Sequence, residues 1–195
     1  FSLMFFSGGE GRSAPHAYRA IRDIAEFGDH SGFKRIWIPE RHFVPFGALH
    51  PSPAVLAASL AATTKHIRLA AGSVVAPLHH PKRIVEDWSV LHNHSEGRVD
   101  VSLASGWLKS DFEFSPSSYD DRHAILSHRY EDVKRLWRTS ARAPVSNPLA
   151  IGERIYPTPV QPDLPMWITA ARNPQTFELA GSLGANVLTY LVDLG

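Results

Sequence analysis

Six short runs of β-branched and small apolar residues alternate along this chain with five segments whose apolar residues recur at helical spacing, and that alternation constrains the fold more than any other feature. The strand-like runs are Ser2 to Ser7, Arg35 to Pro39, Ile67 to Val75, Val99 to Ala104, Met166 to Thr169 and Asn186 to Leu191. Between them, His16 to Ser31, Pro53 to Thr64, Pro81 to His94, Asp121 to Arg138 and Pro174 to Leu183 read as amphipathic helices. Gly32 supplies a left-handed stop to the first, and Ser52 and Asn173 stand as N-caps ahead of a proline at the first helical position. Strand, helix, strand in strict succession implies a parallel α/β sheet with right-handed crossovers. Two architectures satisfy it. An open doubly wound sheet would be complete in 195 residues. A (β/α)8 TIM-type barrel, with eight strands and typically about 250 residues, would lack about two strand-helix units here. Periodicity does not separate the two. Residues 139–165 are proline-rich and aperiodic, an irregular excursion with a short hairpin expected near Arg154 to Tyr156.

Composition excludes several classes of partner. Lysine plus arginine exceed aspartate plus glutamate by one (20 − 19), which leaves no basic stripe for nucleic acid and no patch for a membrane surface. No run reaches the roughly 18 apolar residues of a membrane span. With no cysteine there are no disulfides, thiolate metal sites or thiol nucleophiles, which fits a reducing, cytoplasmic compartment and means that any redox chemistry is borrowed from a cofactor. Beginning inside an apolar run, without an initiating methionine, the chain reads as a piece of something longer.

In either architecture ligands gather beyond the carboxyl ends of the strands. After the second strand, Glu40-Arg41-His42-Phe43 packs a carboxylate, a guanidinium and an imidazole into consecutive positions that can bind anions or move protons; a surface ion pair with a histidine beside it is the plainer alternative. Gly72 and Ser73 interrupt the third strand where bulky residues would be expected, so something approaches the backbone there, either a flat cofactor or a packing bulge. The fourth strand runs into Ala104-Ser105-Gly106-Trp107, small residues that open space and an indole that walls it or fills core. After the fifth strand, Arg172, Asn173 and Thr176 sit at a helix start whose free amides and dipole suit a phosphate, unless Asn173 serves only as a cap.

Other motifs lead nowhere. His79-His80 and His92-Asn93-His94 have no carboxylate at a recognised ligand spacing, so no metal site is expected. Gly8-Gly9-Glu10-Gly11 lacks the lysine and spacing of a phosphate loop and reads as a lid, and no G-x-S-x-G elbow offers a serine nucleophile.

Arg35 to Phe43 (RIWIPERHF), His80 to Asp87 (HPKRIVED) and Gly97 to Gly106 (GRVDVSLASG) resemble the bacterial-luciferase-like flavin monooxygenases, over nearly the whole chain. Ala104 to Trp107 and Asn173 to Thr189 resemble the branch attached to polyketide and nonribosomal peptide assembly lines. The resemblance implies one β/α barrel domain, incomplete at its C-terminal units. It implies uptake of reduced FMN, reaction with dioxygen to a flavin C4a-hydroperoxide, and oxygenation of an organic, carrier-tethered or free natural-product intermediate. A separate flavin reductase is implied, as is assembly as a homodimer or within a larger assembly-line polypeptide.

By that resemblance Glu40, Arg41 and His42 fall in the catalytic element. Arg41 stands where the family has a histidine usually assigned an acid-base role, and His42 matches the histidine after it. Gly72 and Ser73 fall where the family has a non-prolyl cis peptide under the flavin ring. Ala104, Ser105 and Gly106 line the cofactor, and Arg172, Asn173 and Thr176 face its phosphate. Luciferase itself has a reactive cysteine and a phosphate-binding arginine where this chain has Ala104 and Ser105, so light emission is not expected. Relatives that use the deazaflavin F420 for hydride transfer, and a flavin-binding barrel without turnover, are the alternatives.

Overall fold

The computed structural model describes residues 1–6, 13–142 and 154–189. Its six strands are β1 (Ser2–Met4), β2 (Arg35–Ile38), β3 (Arg68–Val75), β4 (Val99–Ala104), β5 (Met166–Thr169) and β6 (Asn186–Leu188). They pair in the order β1-β2-β3-β4-β5-β6, every neighbour parallel. A doubly wound sheet reverses its strand order at a switch point, and here the order never reverses, so the winding is that of a barrel wall.

The sheet also curls. In a flat sheet β2 and β5, three strands apart, would be separated by about 14 Å. Instead the Trp37 and Trp167 rings meet edge to face with centroids 5.2 Å apart, and the Arg35 guanidinium lies 5.2 Å from the Trp167 ring centre. These residues alternate with the ones that face the helices. Ile36, Ile38, Leu69, Val99, Val101, Leu103 and Ile168 form the core with α1 (Ala14–His30), α2 (Pro53–Ala61), α3 (Pro81–His94), α4 (Arg122–Arg142) and α5 (Pro174–Ser182). The concave face carries Trp37, Trp167, Ser102, Thr169 and a charged floor. The structure is a half-barrel with its hydrophobic core between sheet and helices.

At that floor Asp100, fully buried, accepts Arg68 through Nε (2.9 Å) and Nη2 (2.7 Å) and also receives Arg35 Nε. The first residues of β2 and β3 are thereby tied to β4 by charge as well as by the ladder.

Several boundaries differ from expectation for identifiable reasons. Helix α2 ends at Ala61 because the hydroxyls of Thr63 and Thr64 both turn back to the Leu60 carbonyl (3.5 and 2.8 Å), satisfying the helix end. Ser52 makes no side-chain cap bond, whereas Asn173 does, accepting the Gln175 N–H at 3.0 Å. Helix α4 runs on to Arg142, since nothing between Arg138 and Pro144 breaks it. No strand forms at Arg154 to Tyr156, so the expected hairpin is absent among the described residues. That segment is instead a strap on α3 and α4: Ile155 N–H donates to Ser140 Oγ (2.9 Å), Trp137 Nε1–H to the Gln161 carbonyl (3.1 Å), and Val160 N–H to His92 Nδ1 (3.1 Å). Residues 143–153, the glycine-rich loop expected as a lid and the end of the sixth strand lie outside the described residues. No described helix is long and apolar enough to cross a membrane.

Asp100→Ala leaves two largely buried guanidinium groups without their shared carboxylate, and is expected to cost about 3 kcal/mol or more in urea unfolding. Asp132→Ala, which removes an exposed partner of Arg135, should cost under about 0.5 kcal/mol. Equal losses would show that the floor is no more than a surface pair.

Candidate functional site

The chain leaves β2 through Pro39 and at once buries Glu40, which is 2% exposed. Its amide donates to the Ser73 carbonyl (3.1 Å) and its Oε2 accepts the Val75 N–H (2.7 Å), so the residue is pinned at both ends to the top of β3. Its other oxygen, Oε1, receives two imidazoles: His42 Nε2 at 2.9 Å and His79 Nε2 at 2.6 Å. The surface ion pair is therefore not what forms. Glu40 is interior, and its partners are histidines from two different loops.

Burial alone would raise the Glu40 carboxyl, but the hydrogen bonds from His42 and His79, the charge of His79 and the Val75 amide together hold it below the ordinary range. His79 is the mirror case: burial would lower it, and the bond to Glu40 and that carboxylate's charge raise it. Glu40 thus contributes stability above its ordinary value of 4.5 and loses it as pH falls through the lowered one. The contribution of His79 is complete below 6.5 and is lost as pH rises through the raised value. The pair stabilises the fold most between those two limits.

Arg41 does not join this cluster. Its Nη1 donates to the Glu40 carbonyl (2.7 Å), its guanidinium lies 5.8 Å from the Phe46 ring centre, and its amide donates to the His50 carbonyl (3.0 Å). It shapes the loop. Above His42 the Phe114 ring packs edge-on at 4.8 Å, and Phe43 stacks on Phe114 at 5.0 Å, an apolar cover drawn from the loops after β2 and β4.

The Gly72–Ser73 peptide is cis, and the β3–β4 register shifts between Gly72 and Val74. What approaches Gly72 is Trp37: a Cβ built there would lie 2.9 Å from the Trp37 Cβ, so only glycine fits. Beyond it Ser73 Oγ meets Thr169 Oγ1, which also bonds Ser102 Oγ at 2.7 Å, a row of hydroxyls across the tops of β3, β4 and β5. Ala104 ends β4 opposite Val75, followed by the half-buried Ser105 and by Gly106 at φ +87, where a Cβ would lie 2.9 Å from Val75 Cγ1. Trp107 is 56% exposed, so it does not fill the core.

One expectation at α5 needs correction. Its first amides are not free, since Gln175 N–H is taken by Asn173 Oδ1 and Thr176 N–H by the Asn173 carbonyl at 3.0 Å. Asn173 is a cap. An anion there would be met by side chains, namely the exposed Arg172 and the buried Thr176. Glu40, His42, Gly72 and Ser73 are thus brought together; Ala104 is one strand away, and Arg172 follows the Thr169 hydroxyl by three residues. Sequence reasoning missed the contact of His79 with Glu40, along with the hydroxyl row of Ser102 and Thr169. The polar residues at every second position of Val99-Asp100-Val101-Ser102-Leu103 were the signal for a lined concave face.

These residues fit a flavin by their chemistry. The side chains at 72, 73 and 104–106 are small, with Trp37 packed against Gly72 and Phe112 against Gly106; hydroxyls border them, and a cation and a hydroxyl lie at the start of α5. A cavity of about 210 Å³ lies elsewhere, lined by Tyr130, Lys134, Met166 and Asn186 at the opposite ends of β5 and β6, away from the chemistry. Among the described residues no three histidine, aspartate or glutamate side chains converge on a metal position.

Glu40→Gln is expected to lower the midpoint at which His79 titrates, followed by NMR of its ring, and to lose more stability at about pH 5.5 than at about pH 9. An unmoved midpoint would mean that His79 takes its proton affinity from another group.

Residues 1–195 match the family model for luciferase-like monooxygenases. The flavin-dependent trigonelline monooxygenase, oxygenase component, of Acinetobacter baylyi is 30% identical over 181 residues, covering 91% of this chain and 50% of that protein. The 4-hydroxyprotoasukamycin monooxygenase of Streptomyces nodosus subsp. asukaensis is 27% identical, covering 86% and 46%. Among solved structures, monooxygenase RslO1 from Streptomyces bottropensis superposes with a TM-score of 0.84 at 27% identity, covering 96% of this chain and 58% of that one. The chain spans about half the length of the curated relatives it matches. A sequentially wound half-barrel, with its polar cluster at the carboxyl ends of the strands, belongs to the luciferase-like monooxygenase family.

Proposed function

We propose that this chain forms the cofactor-bearing half of a flavin-dependent monooxygenase that takes reduced FMN from a separate reductase and uses dioxygen to oxygenate an organic natural-product intermediate, free or carrier-bound. The observation that carries the reading is the Glu40 junction, which holds an ionisable histidine against the bulged top of β3 beside a row of hydroxyls. When bound, reduced flavin supplies the electrons that activate dioxygen, one oxygen atom going to the substrate and the other leaving as water.

The chain's own residues have four tasks. Gly72, Ser73 and Ala104 to Gly106 give the ring an edge of strand without bulky side chains. Ser73, Ser102 and Thr169 offer hydroxyls that can donate or accept towards its polar rim. Arg172 and Thr176 meet the phosphate with a charge and a hydroxyl. His42, whose Nε2 is held by Glu40, keeps Nδ1 for a proton, under the Phe43–Phe114 pair that excludes water. A homodimer or a longer assembly-line polypeptide would complete the pocket wall.

Arg172→Ala combined with Thr176→Ala should weaken FMN binding about 10- to 100-fold while changing riboflavin binding little, measured by quenching of flavin fluorescence. Equal losses for both ligands would remove the phosphate assignment. Oxygen uptake with reduced FMN but not with the reduced deazaflavin would support the oxygenase, and the reverse would replace it by hydride transfer.

A further inference from the structure

Resting on that reading and extending it, we propose that His79 is a positioning residue for the proton chemistry of the site: with His42 it forms a two-sided proton exchanger on Glu40, one imidazole facing the flavin pocket and the other facing a cavity at the back of the barrel wall. Three observations carry this.

The first is the shared atom. Both Nε2 atoms are within hydrogen-bond distance of the same carboxylate oxygen, Glu40 Oε1, at 2.9 and 2.6 Å. An ionised carboxylate only accepts, so each imidazole donates its Nε2–H and leaves Nδ1 outside that bond. One carboxylate neutralises one imidazolium. A second positive ring on the same oxygen is repelled by the first, so the geometry favours one charge shared between the two rings.

The second is the opposite setting of the rings. The His42 side chain is 10% exposed and lies beneath Phe114. The His79 side chain is 34% exposed and, with Glu40, Ser52, Val74, Asp87 and Trp88, lines a cavity of about 50 Å³ between the start of α2 and α3. A water molecule needs roughly 10–15 Å³ of such space, so the cavity has room for water next to His79. The third is Arg41, which is turned into its own loop and cannot exchange a proton at any working pH.

The exchange balances without any bond changing at Glu40. When Nδ1 of His42 takes a proton from a reacting group, the charge already on His79 is expelled as a proton from its Nδ1 to cavity water. When His42 gives its Nδ1 proton to the pocket, His79 recovers one from that water. Net charge on the cluster is constant throughout. The groups facing it are few: Arg83 and Asp87 from α3 act on His79, and Arg41 from the β2 loop and Asp111 from the 3-10 turn Lys109–Phe114 act on the Glu40 side. Asp111, which burial raises first of all, has an Oδ1 without a hydrogen-bond partner among the described residues.

The alternative is that His79 merely ties α3 to Glu40. Ring NMR of the chain as it stands separates the two. The exchanger requires His79 to titrate in two steps in the wild-type chain, and His42→Gln, which keeps a donor to Glu40 but never carries charge, to leave one step displaced to higher pH. A single step with the same midpoint in both chains overturns the proposal, and the wild-type curve alone suffices should the variant fold poorly. FMN binding, followed by fluorescence in the same samples, reports separately on the function proposed above. FMN that binds while His79 titrates in one step rejects the exchanger alone, whereas a two-step titration without FMN binding rejects the flavin reading alone.

Discussion

A carboxylate buried in a protein interior costs several kcal/mol unless its lone pairs are met, and the top of this half-barrel is arranged around meeting those of Glu40. Val75 gives its amide to the carboxylate instead of to a neighbouring strand, and His42 and His79 supply the other donors. The Glu40 amide closes the ring of contacts on Ser73. Because one side chain touches the β2 loop, the bulged end of β3 and the turn that leads into α3, none of the three can shift alone. The position of His42 relative to the Gly72–Ser73 peptide is therefore set by electrostatics deep in the wall, not by the loop that carries it.

The strands divide their two faces between an apolar core and a polar or aromatic lining. Residues turned to the helices, such as Leu69, Val101, Leu103 and Ile168, are fully buried and apolar. Those turned to the concave side are polar or aromatic: Arg35, Arg68 and Asp100 at the floor, Trp37 and Trp167 above them, then Ser102 and Thr169 near the rim. Since side chains alternate strictly along a strand, the concave face can vary without disturbing the core behind it. The floor pays for this arrangement with a buried carboxylate, which its two arginines compensate.

Much of this was legible in the sequence because it is encoded locally. Pro53, Pro81 and Pro174 mark helix starts, and the β-branched runs mark strands, to within a few residues of where they form. The winding was not legible, since neither a barrel nor an open sheet has a distinct period; only the resemblance favoured the barrel, and the pairing order confirms it. Contacts between distant residues were also out of reach. His79 and His80 look alike as neighbours in sequence, yet His80 caps α3 by accepting the Lys82 amide at 3.2 Å, while His79 reaches a carboxylate 39 positions away. In the same way Asp29 gathers the amides of Lys65, His66 and Ile67 at the entry to β3, a role no spacing announces.

Arg41 shows how one substitution within a motif redistributes its chemistry. Its side chain folds over Gly47, where φ is +76 and a Cβ would lie 2.7 Å from the Arg41 Cγ, so the loop accepts the arginine only because that position is glycine. The guanidinium then stands near His50, a fully buried ring stacked on Phe5 with both nitrogens unpartnered. Burial first, and the Arg41 charge second, lower His50 to about 4. His50 is consequently neutral at ordinary pH, and the loop holds one fixed cation without adding a second. A permanent charge stands in this loop at Arg41, while within the Glu40 junction the two imidazoles are held on one carboxylate oxygen.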